Sequence, residues 1–135
     1  MANYTDLGVW KEARVLNRQV NFLTRKLPKY EQYGMSDQMR RAVVSIGSNI
    51  AEGRGRGTVR DFLHFLYVAR GSAYELGTQL TYCQDVGYID EEAARPIHVQ
   101  LRKVTWMLHQ MIESLKNKLK TQGKTVGEDV EEYED

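Results

Sequence analysis

Ser36-Asp-Gln-Met-Arg-Arg-Ala-Val-Val-Ser-Ile-Gly-Ser-Asn-Ile-Ala-Glu-Gly-Arg-Gly-Arg-Gly-Thr58 is the stretch that decides the fold. It reads as one helix, a glycine-arginine loop and the cap of a following helix. Ser36 is a suitable N-cap, and Asp37 adds negative charge where the helix dipole favours it. Met39, Val43, Ile46 and Ile50 recur at steps of 4, 3 and 4, which places them on one face of an α-helix. Arg41, Ser45, Ser48 and Glu52 form the opposite face. Between them runs a third stripe, Arg40, Val44, Gly47 and Ala51, small or apolar for most of its length. A surface helix needs one buried face, and this one offers two. Either it is packed tightly inside one subunit, or the second stripe is an oligomer interface with another copy of the chain.

Working outward, the segments on either side carry the same rhythm. Val9, Ala13, Leu16, Val20, Leu23 and Leu27 alternate steps of 4 and 3, with Trp10 and Phe22 expected to broaden the stripe. A sustained seven-residue repeat is bundle patterning, so a helix is predicted from about Asp6 to Leu27, ended by Pro28. Gly53 is the expected left-handed C-cap of the second helix. Thr58 and Asp61 form a capping box for a third, in which Phe62, Leu66, Ala69, Ala73, Leu76, Leu80 and Cys83 make the seam. Ala69, Ala73 and Gly77 make a ridge of small residues that admits a close neighbour. A turn containing Gly87 follows. The fourth helix starts near Asp90 with the seam Ile97, Leu101, Val104, Leu108, Met111, Leu115 and Leu119. Pro96 predicts a kink or a delayed start there. Short connections make sequential helices antiparallel neighbours. The expected fold is all-α, an up-down-up-down antiparallel four-helix bundle over residues 1–120, with an acidic, disordered tail at 121–135.

Composition narrows the function classes. The chain has 135 residues and one cysteine, Cys83, so an internal disulfide framework is impossible. It has no apolar run near the roughly 20 residues of a membrane span and no secretion signal at its N-terminus. A reducing cytoplasm is the expected setting. The net charge of +1 conceals an asymmetry: residues 121–135 hold one basic and six acidic groups, whereas residues 1–120 hold 18 basic and 12 acidic. Lys11, Arg14, Arg18 and Arg25 share the far side of the first helix, spanning about 21 Å at 1.5 Å per residue. No acidic residue interrupts that row, so it can track phosphates or serve as solvated surface. Arg54 and Arg56, set among glycines, add two further cations that either bind nucleic acid or pair with neighbouring carboxylates in a flexible turn.

An enzymatic reading finds little to work with. His64, His98 and His109 lie on different elements or faces. Asp61 and His64 have the spacing of bundle metal sites, but matching carboxylates and a second copy of the motif are missing. Cys83 lies on the apolar seam without a basic partner. No catalytic site, metal site or cofactor is expected. Glu52 and Glu75 are expected to pair with Arg40, Arg41 or Arg70.

The residues also carry a resemblance. Asp6-Leu7-x-Val9-Trp10, the run Ser36 to Gly53, Asp61-Phe62 and the segment Ala69-Arg70-Gly71-Ser72-Ala73-x-Glu75-Leu76 together resemble the bacterial proteins named for 23S rRNA intervening sequences. The resemblance spans about residues 4–119. It implies a four-helix subunit assembled as a homopentameric ring, and kinship with the accessory variability proteins of diversity-generating retroelements, basic pentamers that associate with a reverse transcriptase and nucleic acid. It implies no catalytic activity. The chain departs from that pattern at Gly47, where relatives commonly have proline, and at Gly77, where they commonly have glutamate. The expectation is a non-enzymatic, pentameric interaction module offering a basic surface to RNA or to a nucleic-acid-processing protein, against a purely structural or protein-binding scaffold. The expected contacts are Lys11, Arg14, Arg18, Arg25, Arg54 and Arg56.

Overall fold

The computed structural model describes residues 3–121. Four α-helices account for the architecture: α1 (Gly8–Thr24), α2 (Met35–Gly55), α3 (Val59–Asp85) and α4 (Glu91–Thr121). Short 3-10 turns at Tyr4–Asp6 and Lys29–Glu31 precede α1 and α2. Packing joins α1 to α2, α2 to α3, α3 to α4 and α4 back to α1.

Side chains fix the directions. Met39 of α2 meets Cys83 of α3, and Ser45 meets Ser72. Gln84 at the end of α3 meets His98 of α4, while Gly77 faces Leu101. Gly8 faces Met107, and Glu12 bonds Gln100. In each pair one number rises as the other falls, so neighbouring helices are antiparallel. All six positions of the α1 repeat, Val9 to Leu27, are buried, as are Met39, Val43, Ile46 and Ile50 of α2 and all seven seam residues of α3.

In α4 the seam departs from the strict heptad after Leu108. Ile112, not Met111, is buried there, and Met111 packs at the edge of the core. A helix with 3.6 residues per turn drifts by about 20° per heptad, and over 31 residues the drift moves the seam by one position.

The helix ends differ from expectation in instructive ways. Ser36 is not the cap of α2. Gly34 precedes the helix, and the buried Ser36 hydroxyl donates instead to the Thr24 carbonyl at 3.0 Å. Helix α1 stops at Thr24, and its last carbonyls turn to i+3 donors, Lys26 N to Leu23 and Leu27 N to Thr24, the tightening common at helix ends. Gly53 is no left-handed cap: α2 runs on through Gly55, and the positive φ of +86° falls at Gly57. What Gly53 provides is space, because a Cβ there would lie 2.7 Å from the Phe65 Cβ. Pro96 does not delay α4. Asp90 Oδ1 accepts from Ala93 N at 2.8 Å, and the helix begins at Glu91. Proline at that point frees only the carbonyl of Glu92, in the exposed first turn.

Thr58 does cap α3, its Oγ1 accepting from Asp61 N at 3.2 Å, and the positive φ of Gly87 turns the chain between α3 and α4. The expected tail at 121–135 lies outside the described residues apart from Thr121. No described helix is long and apolar enough to cross a membrane.

Candidate nucleic-acid interface

Burial of Val9, Ala13, Leu16, Val20 and Leu23 turns Lys11, Arg14, Arg18 and Arg25 outward, and all four are exposed. None enters an ion pair among the described residues. The acid of this helix, Glu12, points aside to α4. It accepts from Gln100 Nε2 at 2.9 Å and meets Lys103 Nζ at 3.2 Å. The hydrogen bond from Gln100, and then that from Lys103, hold its carboxyl below the ordinary value. The cationic row is therefore left unneutralised.

Aromatic rings steady two of these cations. The Arg14 guanidinium lies 6.0 Å from the Trp10 ring centroid, and that of Arg25 lies 5.2 Å from the Phe22 ring, within cation–π range. Phe22 does not broaden the apolar stripe. It is 64% exposed and stands on the basic face, between Arg18 and Arg25. At 3.6 residues per turn, position 22 lies about 140° from the centre of the buried stripe, so its own spacing places it opposite the core and among the cations.

Arg54 and Arg56 are separated from this row. Both belong to the last turn of α2 and its cap, at the end of the bundle where α4 finishes. Arg54 is half-buried beside Lys118, with an Nε that finds no hydrogen-bond partner among the described residues. Arg56 pairs with Glu52 at 3.2 Å and lies over the Phe65 ring at 5.1 Å. The expected pairing of Glu52 and Glu75 with Arg40, Arg41 or Arg70 does not occur. Glu75 is exposed and accepts from Gln79, Arg41 pairs with Asp37, and Arg70 lies over Tyr67.

The second stripe of α2 divides in two. Arg40 is spent internally: Nη2 donates to the Gln32 carbonyl at 3.0 Å and Nη1 to Thr24 Oγ1 at 3.4 Å. Val44, Gly47 and Ala51 line an open groove between α1 and α2, with Trp10 and Tyr4 on its other side. Val44 is 53% exposed, and a Cβ on Gly47 would come no nearer than 4.0 Å to Trp10 or Ala13. Among the described residues, the chain's own side chains leave Val44 exposed and Gly47 and Ala51 half-buried.

Sequence periodicity missed a second basic and apolar ridge, on the outer face of α4. Arg95, Val99, Arg102 and Trp106 recur there at steps of 4, 3 and 4, with Trp106 64% exposed. The signal was available, since these positions lie opposite the seam.

Groups with reactive potential are dispersed. His64 stacks edge-on against Phe65, His98 bonds Gln84 at 2.8 Å, and His109 is exposed. Among the described residues, no three His, Cys, Asp or Glu side chains gather as a metal site would require. Cys83 is buried, its sulfur 3.8 Å from the Met39 sulfur, and burial followed by the nearby Glu31 charge pushes its thiol pKa up. Tyr88 is likewise shifted up, through hydrogen bonding with Tyr30 and then Glu31.

Comparison with known proteins gives the family and the fold. No curated protein matches the chain. A crystal structure of a protein of unknown function from the S23 ribosomal protein family of Bacteroides thetaiotaomicron matches with a TM-score of 0.70 and 26% identity, over 77% of this chain and 97% of that one. The family model for the 23S rRNA-intervening sequence protein matches residues 5–110, nearly the whole bundle, and the chain belongs to that family.

Proposed function

We propose that this protein is a non-enzymatic homo-oligomeric module, pentameric in its assembled form, that works in the cytoplasm and presents a basic surface to RNA or to a protein that processes nucleic acid. The observation that carries the reading is the unopposed cationic row of α1, whose neighbouring acid is turned away onto α4. Phosphate neutralisation needs cations that are not already paired, and this row supplies them along a rigid helix. The open groove at Val44, Gly47 and Ala51, with Val44 exposed in it, supports association of copies. Residues 1–120 are net +6 against +1 for the whole chain, so five copies would gather about +30 on their bundles and about +5 once the acidic tails are counted; the attraction to an anionic polymer is local to the bundle surface. The family name and the family's description as being of unknown function are compatible with this role and do not add to it.

A scaffold reading draws on one specific observation: Arg56 already has a carboxylate partner in Glu52, so the α2 end behaves as ordinary surface. Two measurements separate the readings. Light scattering coupled to size exclusion gives the assembly mass, and Val44→Glu is expected to shift it downward; a monomeric wild type at micromolar concentration overturns the ring. Titration of a labelled RNA across a salt series is expected to show log affinity falling with log salt by about 0.7 per phosphate neutralised on a single strand, with Arg18→Glu and Arg25→Glu, which lie outside the groove, weakening binding without changing the assembly. Absent or salt-insensitive binding at low ionic strength favours the scaffold.

A further inference from the structure

We infer that the outer face of α1 is a platform for single-stranded nucleic acid, on which Phe22 stacks an unpaired base while the flanking arginines hold phosphates. The inference rests on the RNA reading above and specifies the form of the polymer.

Its starting point is the placement of Phe22. Lys11, Arg14, Arg18, Phe22 and Arg25 follow one another at steps of 3, 4, 4 and 3, so the ring belongs to the same face as the cations. Arg18 and Arg25 lie about 6 Å and about 4.5 Å along the axis from it. A large apolar ring at 64% exposure gains nothing from the fold. Its one described ring contact is with a cation, the Arg25 guanidinium 5.2 Å from its centroid. That contact steadies the ring and leaves most of its surface open to solvent. The ring is thus held between positive charges, and the acid of α1 is engaged elsewhere.

A phenyl face flanked by guanidinium groups is a combination that single strands use. Stacking on an aromatic ring requires an exposed base face, and every base has one when unpaired. In a duplex those faces are covered by the neighbouring pairs. The deep, narrow major groove of A-form RNA excludes side chains from the base edges. Duplex RNA could still meet the arginines through its phosphates, but it would have no use for Phe22. The ring therefore discriminates in favour of the unpaired strand.

The test uses the full chain, with a labelled oligouridine of about 15 nucleotides as the single strand and a duplex of the same length as the comparison. Fluorescence anisotropy on wild type, Phe22→Ala and Phe22→Trp reads the affinities. Phe22→Ala is expected to weaken oligouridine binding about tenfold, the usual scale for loss of one stacked base. Phe22→Trp is expected to restore it. The salt slope should stay the same, because no phosphate contact is removed, and duplex affinity should not move. Circular dichroism controls for folding, which an exposed side chain hardly affects. If Phe22→Ala binds oligouridine as wild type does, while Arg18→Glu weakens it, the RNA reading stands and the stacking platform is overturned. If wild type binds neither probe at low salt, the RNA reading itself fails, and the platform with it.

Discussion

Ser36 Oγ donates a 3.0 Å hydrogen bond to the carbonyl of Thr24, and both residues are fully buried. The bond ties the second residue of α2 to the last residue of α1. Gln32 Nε2 adds bonds to the same carbonyl at 3.0 Å and to that of Leu27 at 3.1 Å, and Arg40 closes the cluster through the Gln32 carbonyl. The unsatisfied C-terminal carbonyls of one helix are thus capped by the start of the next. This sets the angle at which α2 leaves α1, and with it the groove beside Val44.

Ser36→Ala is expected to destabilise the subunit by about 1 kcal/mol, the net worth of one such hydrogen bond. Urea unfolding checks it: the midpoint should fall with the slope unchanged. An unaltered midpoint would show that Gln32 Nε2 and the Leu27 N–H satisfy the Thr24 carbonyl without Ser36.

Two glycines should respond to alanine with opposite signs. A Cβ on Gly53 would meet Phe65 Cβ at 2.7 Å, Phe62 Cδ1 at 3.0 Å and the Phe62 carbonyl at 3.3 Å, so backbone as well as side chain must move. Overpacking of this kind costs about 1–3 kcal/mol, more than the roughly 1 kcal/mol that alanine gains in helix propensity. Gly71 lies within α3 with nothing within 4 Å of its Cβ position, and Gly71→Ala should stabilise by up to about 1 kcal/mol. Thermal melts of the pair, compared with wild type, decide the ordering.

Glu12 predicts a pH dependence. Its folded-state pKa is depressed, first by the Gln100 hydrogen bond and then by that from Lys103, from an ordinary value near 4.5. The carboxylate therefore contributes stability above that value and loses it as pH falls through the lower folded-state pKa. Glu12→Gln should flatten the acid limb of the stability curve below about pH 4.5 while leaving the limb above neutrality unchanged. Equilibrium urea unfolding from about pH 3 to about pH 9 reads both limbs, on the order of one midpoint every half unit. Identical acid limbs would show that the contact is too exposed to count.

Cys83 should behave as a core residue. Burial raises its pKa above the ordinary 9.0, so the native thiol stays protonated and unreactive. Iodoacetamide alkylation is expected to be at least about tenfold slower in the native protein than in the urea-unfolded chain. A raised folded-state pKa also means that its contribution is intact below the unfolded value and lost as pH rises above it. Fast native labelling would place the side chain nearer solvent than its packing against Met39 allows.

The tail offers an electrostatic test. Residues 122–135 carry one lysine and six acidic groups, and α4 ends beside Arg54 and Lys118. Removing these residues should tighten RNA binding several-fold at low ionic strength, with the gain fading as salt shortens the screening length. Equal affinities with and without the tail would show that it does not compete for the cations.

By itself the sequence determined the number of helices, their order and most of the buried positions, though not Ala42, Leu63, Ile89, Ala94 or Ile112. Core burial follows a period that each segment carries within it: Val9 to Leu27, Met39 to Ile50 and Phe62 to Cys83 could be read without neighbours. It also showed the cations of α1 lying together. What only the tertiary structure decided depends on groups distant in the chain. Ser36 abandons capping because Thr24 presents a carbonyl to it, and Gly53 is needed because Phe65 lies against it. Arg40 turns inward to Gln32, while Val44 is left uncovered. Periodicity tells a residue which way to face; whether anything stands there to meet it is settled by how the helices pack.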